Sequence, residues 1–174
     1  DGVYIDADTF EFDKVTNILE AYGNVIIKDK IKNITITSED ITFLRNEDKI
    51  FTKTRSKAFN NNIYIDADSL GYDKKLNTLI AKGNVQVNEK VKKLTINSEE
   101  ITYYKNTGIF ISQSRSEAKG EGLNIKADEF EYNNVLNLIN ANRNVKISDK
   151  VNNITLLSEN VTYLKNKEKV FTQG

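Results

Sequence analysis

The groups in this chain best suited to chemistry are carboxylates that return at a fixed interval. Asp6, Asp8 and Asp13 come back as Asp66, Asp68 and Asp73, and Asp128 is a third copy of Asp8. Carboxylates can act as general acids and bases, and they are hard oxygen ligands for calcium. Neither use fits the pattern well. A catalytic pair has no reason to recur, and the glycine-rich nonapeptide of calcium β-rolls is absent. Solvated turns account for these residues better, because Asp and Asn bond their own backbone there. The chain has no His and no Cys, which removes imidazole bases, thiolate nucleophiles, zinc-thiolate sites and disulfides. No metal, cofactor or catalytic activity is expected. Arg143 is the sharpest polar candidate, since it stands where the other copies have Gly23 and Gly83. By parity it shares a face with Ile139, Ala141, Val145 and Ile147, where a guanidinium could pair with a phosphate or carboxylate headgroup. If those glycines mark bulges, parity fails locally and Arg143 points to solvent.

The elements that must position these groups are written three times. Tyr4-Ile5-Asp6-Ala7-Asp8 returns as Tyr64-Ile65-Asp66-Ala67-Asp68, and Gly23-Asn24-Val25 as Gly83-Asn84-Val85. Positions 3–58 and 63–118 share 25 identities in 56 without a gap. The third copy is more divergent, with Lys126 for Asp6 and Arg143-Asn144-Val145 for the glycine phrase. The chain therefore reads as one domain, 1–174, of three repeats at about 3–62, 63–122 and 123–174. A fixed period means a stack in which each unit buries its apolar face on its neighbours.

Apolar residues alternate at period two, the mark of strands. Leu19, Ala21, Gly23, Val25 and Ile27 fall on one face. Ile5 and Ala7 change parity before Phe10 and Phe12, so a bend or bulge is expected at Asp8. Asp13–Asn17 and Asp73–Asn77 read as hairpin turns. Each repeat divides again at an offset of 31, giving six strand–turn–strand halves and roughly a dozen strands. The second halves place small residues inward, namely Thr52, Thr54, Ser56, Ser112, Ser114 and Ser116. They permit either a tight approach of two sheets or a partly empty groove.

The candidate inner face follows from the alternation. In the first repeat it comprises Phe10, Phe12, Leu19, Val25, Ile27, Ile36, Ile41 and Phe43. In the second it comprises Leu70, Tyr72, Leu79, Val85, Val87, Ile96, Ile101, Tyr103 and Phe110, and in the third Phe130, Tyr132, Ile139, Val145 and Ile147. Alternation alone does not separate an ordinary packed core from an apolar groove for lipid.

Charge excludes more than it assigns. The 25 basic and 25 acidic residues are interspersed at zero net charge, unlike the basic footprint of a nucleic-acid binder. No apolar run is long enough for a membrane-spanning helix. Lys30, Lys32, Lys90, Lys92, Arg55 and Arg115 are expected on the polar outer face, where charge also discourages edge pairing. Nothing in Asp1-Gly2-Val3 or Val170-Phe171-Thr172 reads as a cap, so open ends invite strand addition by a similar domain. Gly174 aligns with Thr54 and Ser114, and the natural protein is expected to continue beyond it.

These phrases carry a resemblance. Ile5-x-Ala7-Asp8-x-Phe10-x-Phe12-Asp13, followed by Leu19-x-Ala21-x-Gly23-Asn24-Val25-x-Ile27, resembles the OstA-type repeat. That repeat occurs in the lipopolysaccharide-transport proteins, in LptA and in the N-terminal domain of LptD. The resemblance extends over essentially the whole chain. It implies an all-β fold, a folded-over antiparallel β-jellyroll (taco-like), apolar inside, open along one side and at both ends. It implies that the inner face named above shields the acyl chains of lipopolysaccharide. It also implies a periplasmic location, held to the outer membrane if LptD-like, and end-to-end joining with similar domains by strand addition. An LptD-like chain, the favoured reading, would continue into a C-terminal membrane barrel, and an LptA-like one is the close second. Arg143, Lys126 and the lack of Cys depart from the pattern. The competing class is a structural β-solenoid or adhesion module with a filled core and protein ligands.

Overall fold

The computed structural model describes residues 2–173; Asp1 and Gly174, where the third repeat was expected to break off, lie outside them. The first repeat forms β1 (Val3–Asp6), β2 (Thr9–Asp13), β3 (Ile18–Asp29), β4 (Ile34–Leu44), β5 (Lys49–Phe51) and β6 (Ser56–Asn60). The second forms β7 (Ile63–Ala67), β8 (Ser69–Asp73), β9 (Thr78–Glu89), β10 (Leu94–Tyr104), β11 (Ile109–Ser112) and β12 (Ser116–Gly120). The third forms β13 (Leu123–Ala127), β14 (Glu129–Asn133), β15 (Leu138–Asp149), β16 (Ile154–Leu164) and, after one 3-10 turn, β17 (Lys169–Gln173). All belong to one antiparallel sheet.

Seventeen strands replace the dozen expected from the sequence, and the reason is local. β7 and β8 both pair with β9, one after the other, as two halves of a single broken strand. β5 and β6 are likewise split, and both pair with β4. Counted as sheet positions, the chain has twelve, five of them broken in two.

Eight of the twelve positions carry a break or a bulge at the same level. In β3, Gly23 and Asn24 lie opposite the single residue Glu39, because Tyr22 pairs with Asp40 and Val25 with Ser38. β9 and β15 repeat this bulge at Gly83-Asn84 and Arg143-Asn144. The bends align into one crease that runs across the whole sheet and folds it over. One layer holds β2, β5, β8, β11, β14 and β17 with the adjoining halves of the long strands. The other holds β1, β6, β7, β12 and β13 with the remaining halves. The hairpin tips at the ends of the two layers form two lips that face one another.

The Ala-Asp and Gly-Asn phrases together build the crease. Gly23 and Gly83 have φ of 75° and Asn24 and Asn84 have φ of 48° and 45°, the region that glycine and asparagine enter most readily. The expected bend falls at Asp8, whose amide donates to the Gly23 carbonyl at 3.0 Å. Its carboxylate accepts from Asn24 Nδ2 at 2.9 Å, as Asp68 does from Asn84 at 2.7 Å. Arg55 adds a bond to Asp68 at 2.7 Å and one to Asp66 at 2.6 Å, and Arg115 pairs with Asp128. Asn144 and Arg115 together hold the Asp128 carboxyl below the usual carboxylate range. Arg55 and Arg115 thus pin the crease, more than the outer-face role expected of them. The small inward residues belong to the crease too. Ser38 Oγ, Thr54 Oγ1 and Ser56 Oγ form one hydroxyl cluster, and Ser98, Ser112, Ser114 and Ser116 form the next. They are neither a sheet-on-sheet contact nor a groove wall.

The turns behave as read. Asp13 Oδ1 accepts from the Val15 amide at 2.7 Å, and Asp73 Oδ1 from the Leu76 amide at 2.9 Å. Asp8, Asp13, Asp66, Asp68, Asp73 and Asp128 therefore each have a structural use.

A β-branched side chain is costly at a φ of 75°, and a Cβ on Gly83 would sit 2.6 Å from Asp68 Oδ2. Gly83→Val is expected to cost about 2 kcal/mol in urea unfolding. The reverse change, Arg143→Gly, relieves a non-glycine residue at φ 61° and is expected to add about 1 kcal/mol.

Candidate functional site

The interior is a wedge, narrow at the crease and wide at the lips. Alanines line the narrow part: Ala21, Ala67, Ala81, Ala127 and Ala141, all fully buried. Larger side chains line the wide part in one cross-strand row. Phe43 pairs with Ile50, Ile50 with Tyr72, Tyr72 with Leu79 and Leu79 with Tyr103. The row continues through Phe110, Tyr132 and Ile139. Tyr103 stacks on Phe110 with centroids 4.0 Å apart, and Phe110 on Tyr132 at 5.8 Å. The opposing layer offers Ile27, Ile36, Ala58, Ile65, Val87 and Ile96 in an equivalent row.

Of the 22 residues assigned to the inner face, nineteen are buried. They belong to one continuous hydrophobic core. The other three lie at the N-terminal end. Leu19 is half-buried, and Phe10 and Phe12 are 49% and 44% exposed. Their strand, β2, pairs only with β3, so its inward side chains have no neighbour on the outer side. Here a cavity of about 730 Å³ opens between Val3, Ile5, Phe10, Phe12, Leu19 and Phe43. Arg45 and Lys74 stand at its rim. The Arg45 guanidinium lies 5.3 Å from the Phe12 ring centroid, and the Lys74 ammonium 5.6 Å from that of Phe43. Lys74 also pairs with Asp48 at 3.2 Å. The site thus combines apolar walls with a polar edge made of Arg45, Lys74, Asp48 and Asn17. Neither cation was singled out from the sequence, because each sits in a turn where Lys and Arg are ordinary. At the far end, the first half of β16 pairs with β15 alone, and Ile154 and Leu156 are 48% and 40% exposed.

The side opposite the crease is not open over the middle. Lys105 Nζ reaches from one lip to the Lys32 carbonyl on the other, at 2.7 Å. Lys92 crosses the opposite way, to the Asn134 carbonyl and to Asn134 Oδ1 at 2.6 Å. Tyr103 Oη donates to Asn60 Oδ1 at 3.2 Å, and Lys165 pairs with Glu121 at 3.5 Å. This corrects the expectation of an open long side, and of Lys92 as a plain outer-face charge. The bridging partners are up to 73 residues apart, so no local pattern announces them.

Two acids lie buried beneath the bridges. Asp29 is 3% exposed and accepts from the Lys32 amide at 2.9 Å; Glu89 is 4% exposed and accepts from the Val91 amide at 3.1 Å. They face the tyrosines of the opposite lip. Burial first, and the Glu89 charge second, push the Tyr103 hydroxyl up to about 12. Burial likewise raises Tyr72 and Tyr132. The same burial lowers Lys92 and Lys105. Tyr132 Oη and Asn137 Oδ1 have no partner, yet their counterparts Tyr72 and Asn77 bond each other at 3.3 Å.

Arg143 does not lie on the inner face. It occupies the bulge, its side chain is 60% exposed, and it pairs with Glu129 at 2.7 Å. The bulge breaks the parity that placed it inward. No group of three or more His, Cys, Asp or Glu among the described residues could hold a metal ion.

No family model matches this sequence, and no curated protein matches it. Among solved structures, LptH of Pseudomonas aeruginosa, described as the LptA-homologous periplasmic component of the lipopolysaccharide transport device, overlaps 81% of this chain and 82% of that one. The identity is 13% and the TM-score 0.42. At that level neither ligand nor partner transfers to this chain.

The raised tyrosine groups give stability that is present below pH 10 and lost as pH rises through the folded values. The wild-type urea midpoint is expected to fall between pH 10 and about 12, the window set by Tyr103. The falling limb is expected to be shallower in Tyr103→Phe, and equal slopes would show that Tyr103 does not titrate late.

Proposed function

We propose that this chain is a non-enzymatic carrier for an acylated, anionic amphiphile, with lipopolysaccharide as the first candidate. The observation that carries the reading is the N-terminal cavity, where exposed Phe10 and Phe12 stand beneath Arg45 and Lys74. Exposed phenyl groups at the mouth of an otherwise buried row offer a place for acyl chains. Each methylene withdrawn from water is worth about 0.8 kcal/mol, so a long chain binds without any specific polar contact. The cations at the rim suit phosphates or carboxylates of a headgroup. The OstA-type phrasing of all three repeats points the same way.

On this reading the finer assignments are an outer-membrane assembly role in the periplasm, with an LptD-like N-terminal domain favoured and an LptA-like protein second. Chains enter at the N-terminal end. Passage along the stack requires the Lys105–Lys32 and Lys92–Asn134 bridges to part and the nineteen buried residues to make room. The unpaired edges of β1 and β2 at one end, and of β16 and β17 at the other, accept similar domains by strand addition. A membrane barrel following in the same chain belongs to the LptD-like version only.

The second reading, a structural repeat that binds proteins, is favoured by the closed lips and by the continuous hydrophobic core. The two separate in a photocrosslinking experiment with lipopolysaccharide, using probes at Phe12, Phe43 and Val85 and an outward control at Lys14. Carrier function is expected to give crosslinks at Phe12 and Phe43, and at Val85 once Lys92→Met and Lys105→Met loosen the lips, with none at Lys14. A folded domain that gives none at any position is a structural repeat.

A further inference from the structure

The charge of this chain is balanced in sum but not in space. The hairpin tips of the two lips lie along one edge, held side by side by the lysine bridges. The tips of the layer containing β1, β6 and β7 carry Lys30, Lys32, Lys90, Lys92, Lys93 and Lys150 against Glu121, with Asp29, Glu89 and Asp149 at the strand ends accepting from the turn amides. The tips of the other layer carry seven basic residues against three acidic ones. By contrast, the outer face of that second layer is acidic, with Glu11, Glu20, Asp40, Asp73, Glu100 and Glu131 among its outward strand residues. One long edge of the fold is therefore net positive, even with Asp13, Asp29, Asp73, Glu89 and Asp149 at the feet of its turns, and one broad face is net negative.

The same edge carries exposed aliphatic side chains. Ile31, Val91 and Val151, at equivalent places in the three repeats, are 75%, 68% and 77% exposed. Val15, Leu76, Val135 and Leu136 do the same on the facing tips, at 94%, 67%, 71% and 62%. Among the described residues, these are seven of the eight large aliphatic side chains that are more than 60% exposed; the eighth is Leu157, on an outer sheet face. The aliphatic groups contribute little to the fold. Ile31 leans over Gly2, and Val151 over Gly122, without being covered.

We propose that this edge docks on the surface of a bilayer rich in anionic lipid, with the stack lying along the membrane and the crease facing away. Lysines flanking protruding aliphatic groups match an anionic headgroup layer above an apolar boundary: the charges draw the edge to the surface and the side chains enter it. The acidic outer face sets the orientation, because it is repelled by the same surface. Many weak tips arranged in line add along one rigid body, so no single tip must hold the protein. The inference concerns the outside of the lips and is independent of what the interior carries.

The test is co-sedimentation of the full chain with vesicles of phosphatidylcholine alone and of phosphatidylcholine with phosphatidylglycerol. Binding is expected only to the anionic vesicles, weakening as salt is raised. The triple variant Ile31→Asn, Val91→Asn, Val151→Asn is expected to lower the partition coefficient about tenfold, and Lys30→Glu, Lys90→Glu, Lys150→Glu to abolish binding. Leu157→Asn, which removes an equally exposed aliphatic group away from the edge, is expected to leave it unchanged. Circular dichroism checks that each variant is folded. Equal binding to both vesicle types, a Leu157→Asn effect as large as the triple variant's, or no binding to either vesicle would overturn the proposal; the last result leaves the edge to a protein partner. Failure of the lipopolysaccharide crosslinks leaves this outcome untouched.

Discussion

Everything in this molecule depends on bending a sheet position at its middle. An antiparallel meander of a dozen positions would otherwise be a flat ribbon with one apolar face exposed to water, and such a face has no partner within the chain. The two residues of positive φ at Gly-Asn supply the turn, and the carboxylate of the preceding Ala-Asp phrase fastens it. Because the fastening is to the neighbouring strand's bulge, each crease segment positions the next. The apolar face then closes on itself, and hydrophobic burial, the dominant favourable term in folding, becomes available to every repeat at once.

The wedge that results explains where side chains of each size occur. Alanine and serine occupy the crease because the layers converge there, and tyrosine, phenylalanine and isoleucine fill the wide side. The wide side needs a second device, since its lips end in turns with free carbonyls. Lys92 and Lys105 supply it by reaching across to carbonyl oxygens, and in doing so cover Asp29 and Glu89. The lips are held by single side chains, whereas the crease is held by backbone geometry. Any opening of the interior therefore begins at the lips.

Much of this was legible in the sequence. The period, the strands, the turns at Asp13 and Asp73, the bend at Asp8 and the inward direction of nineteen side chains all follow from spacing that short-range sterics enforce. The misses share a cause. Alternation reports which way a side chain points, but not what stands opposite. It placed Phe10 and Phe12 with the core although β2 has a neighbour on one side only. It also could not reveal that the lips meet, since Lys105 and Lys32 belong to different repeats. For Arg143 the sequence left two readings, inward by parity or outward at a bulge, and the structure has the bulge. The sequence showed a bend at Asp8 but not that five sheet positions divide into ten strands, the breaks being only one to four residues long.

The repeat length has a further consequence for how such a chain grows. Sixty residues span four sheet positions, and because four is even, each unit starts with the same strand direction as the unit before it. A whole unit can be duplicated or deleted without reversing any neighbour or shifting the crease. Nearly every pairing also joins segments close together in the chain, as between β7 and β9 or β10 and β12. An all-β protein built this way has unusually short loops to close, so it can assemble strand by strand as it leaves the ribosome, at a rate set by local pairing and not by its total length. Length in this architecture is thus free to vary by whole units, while the cross-section is fixed.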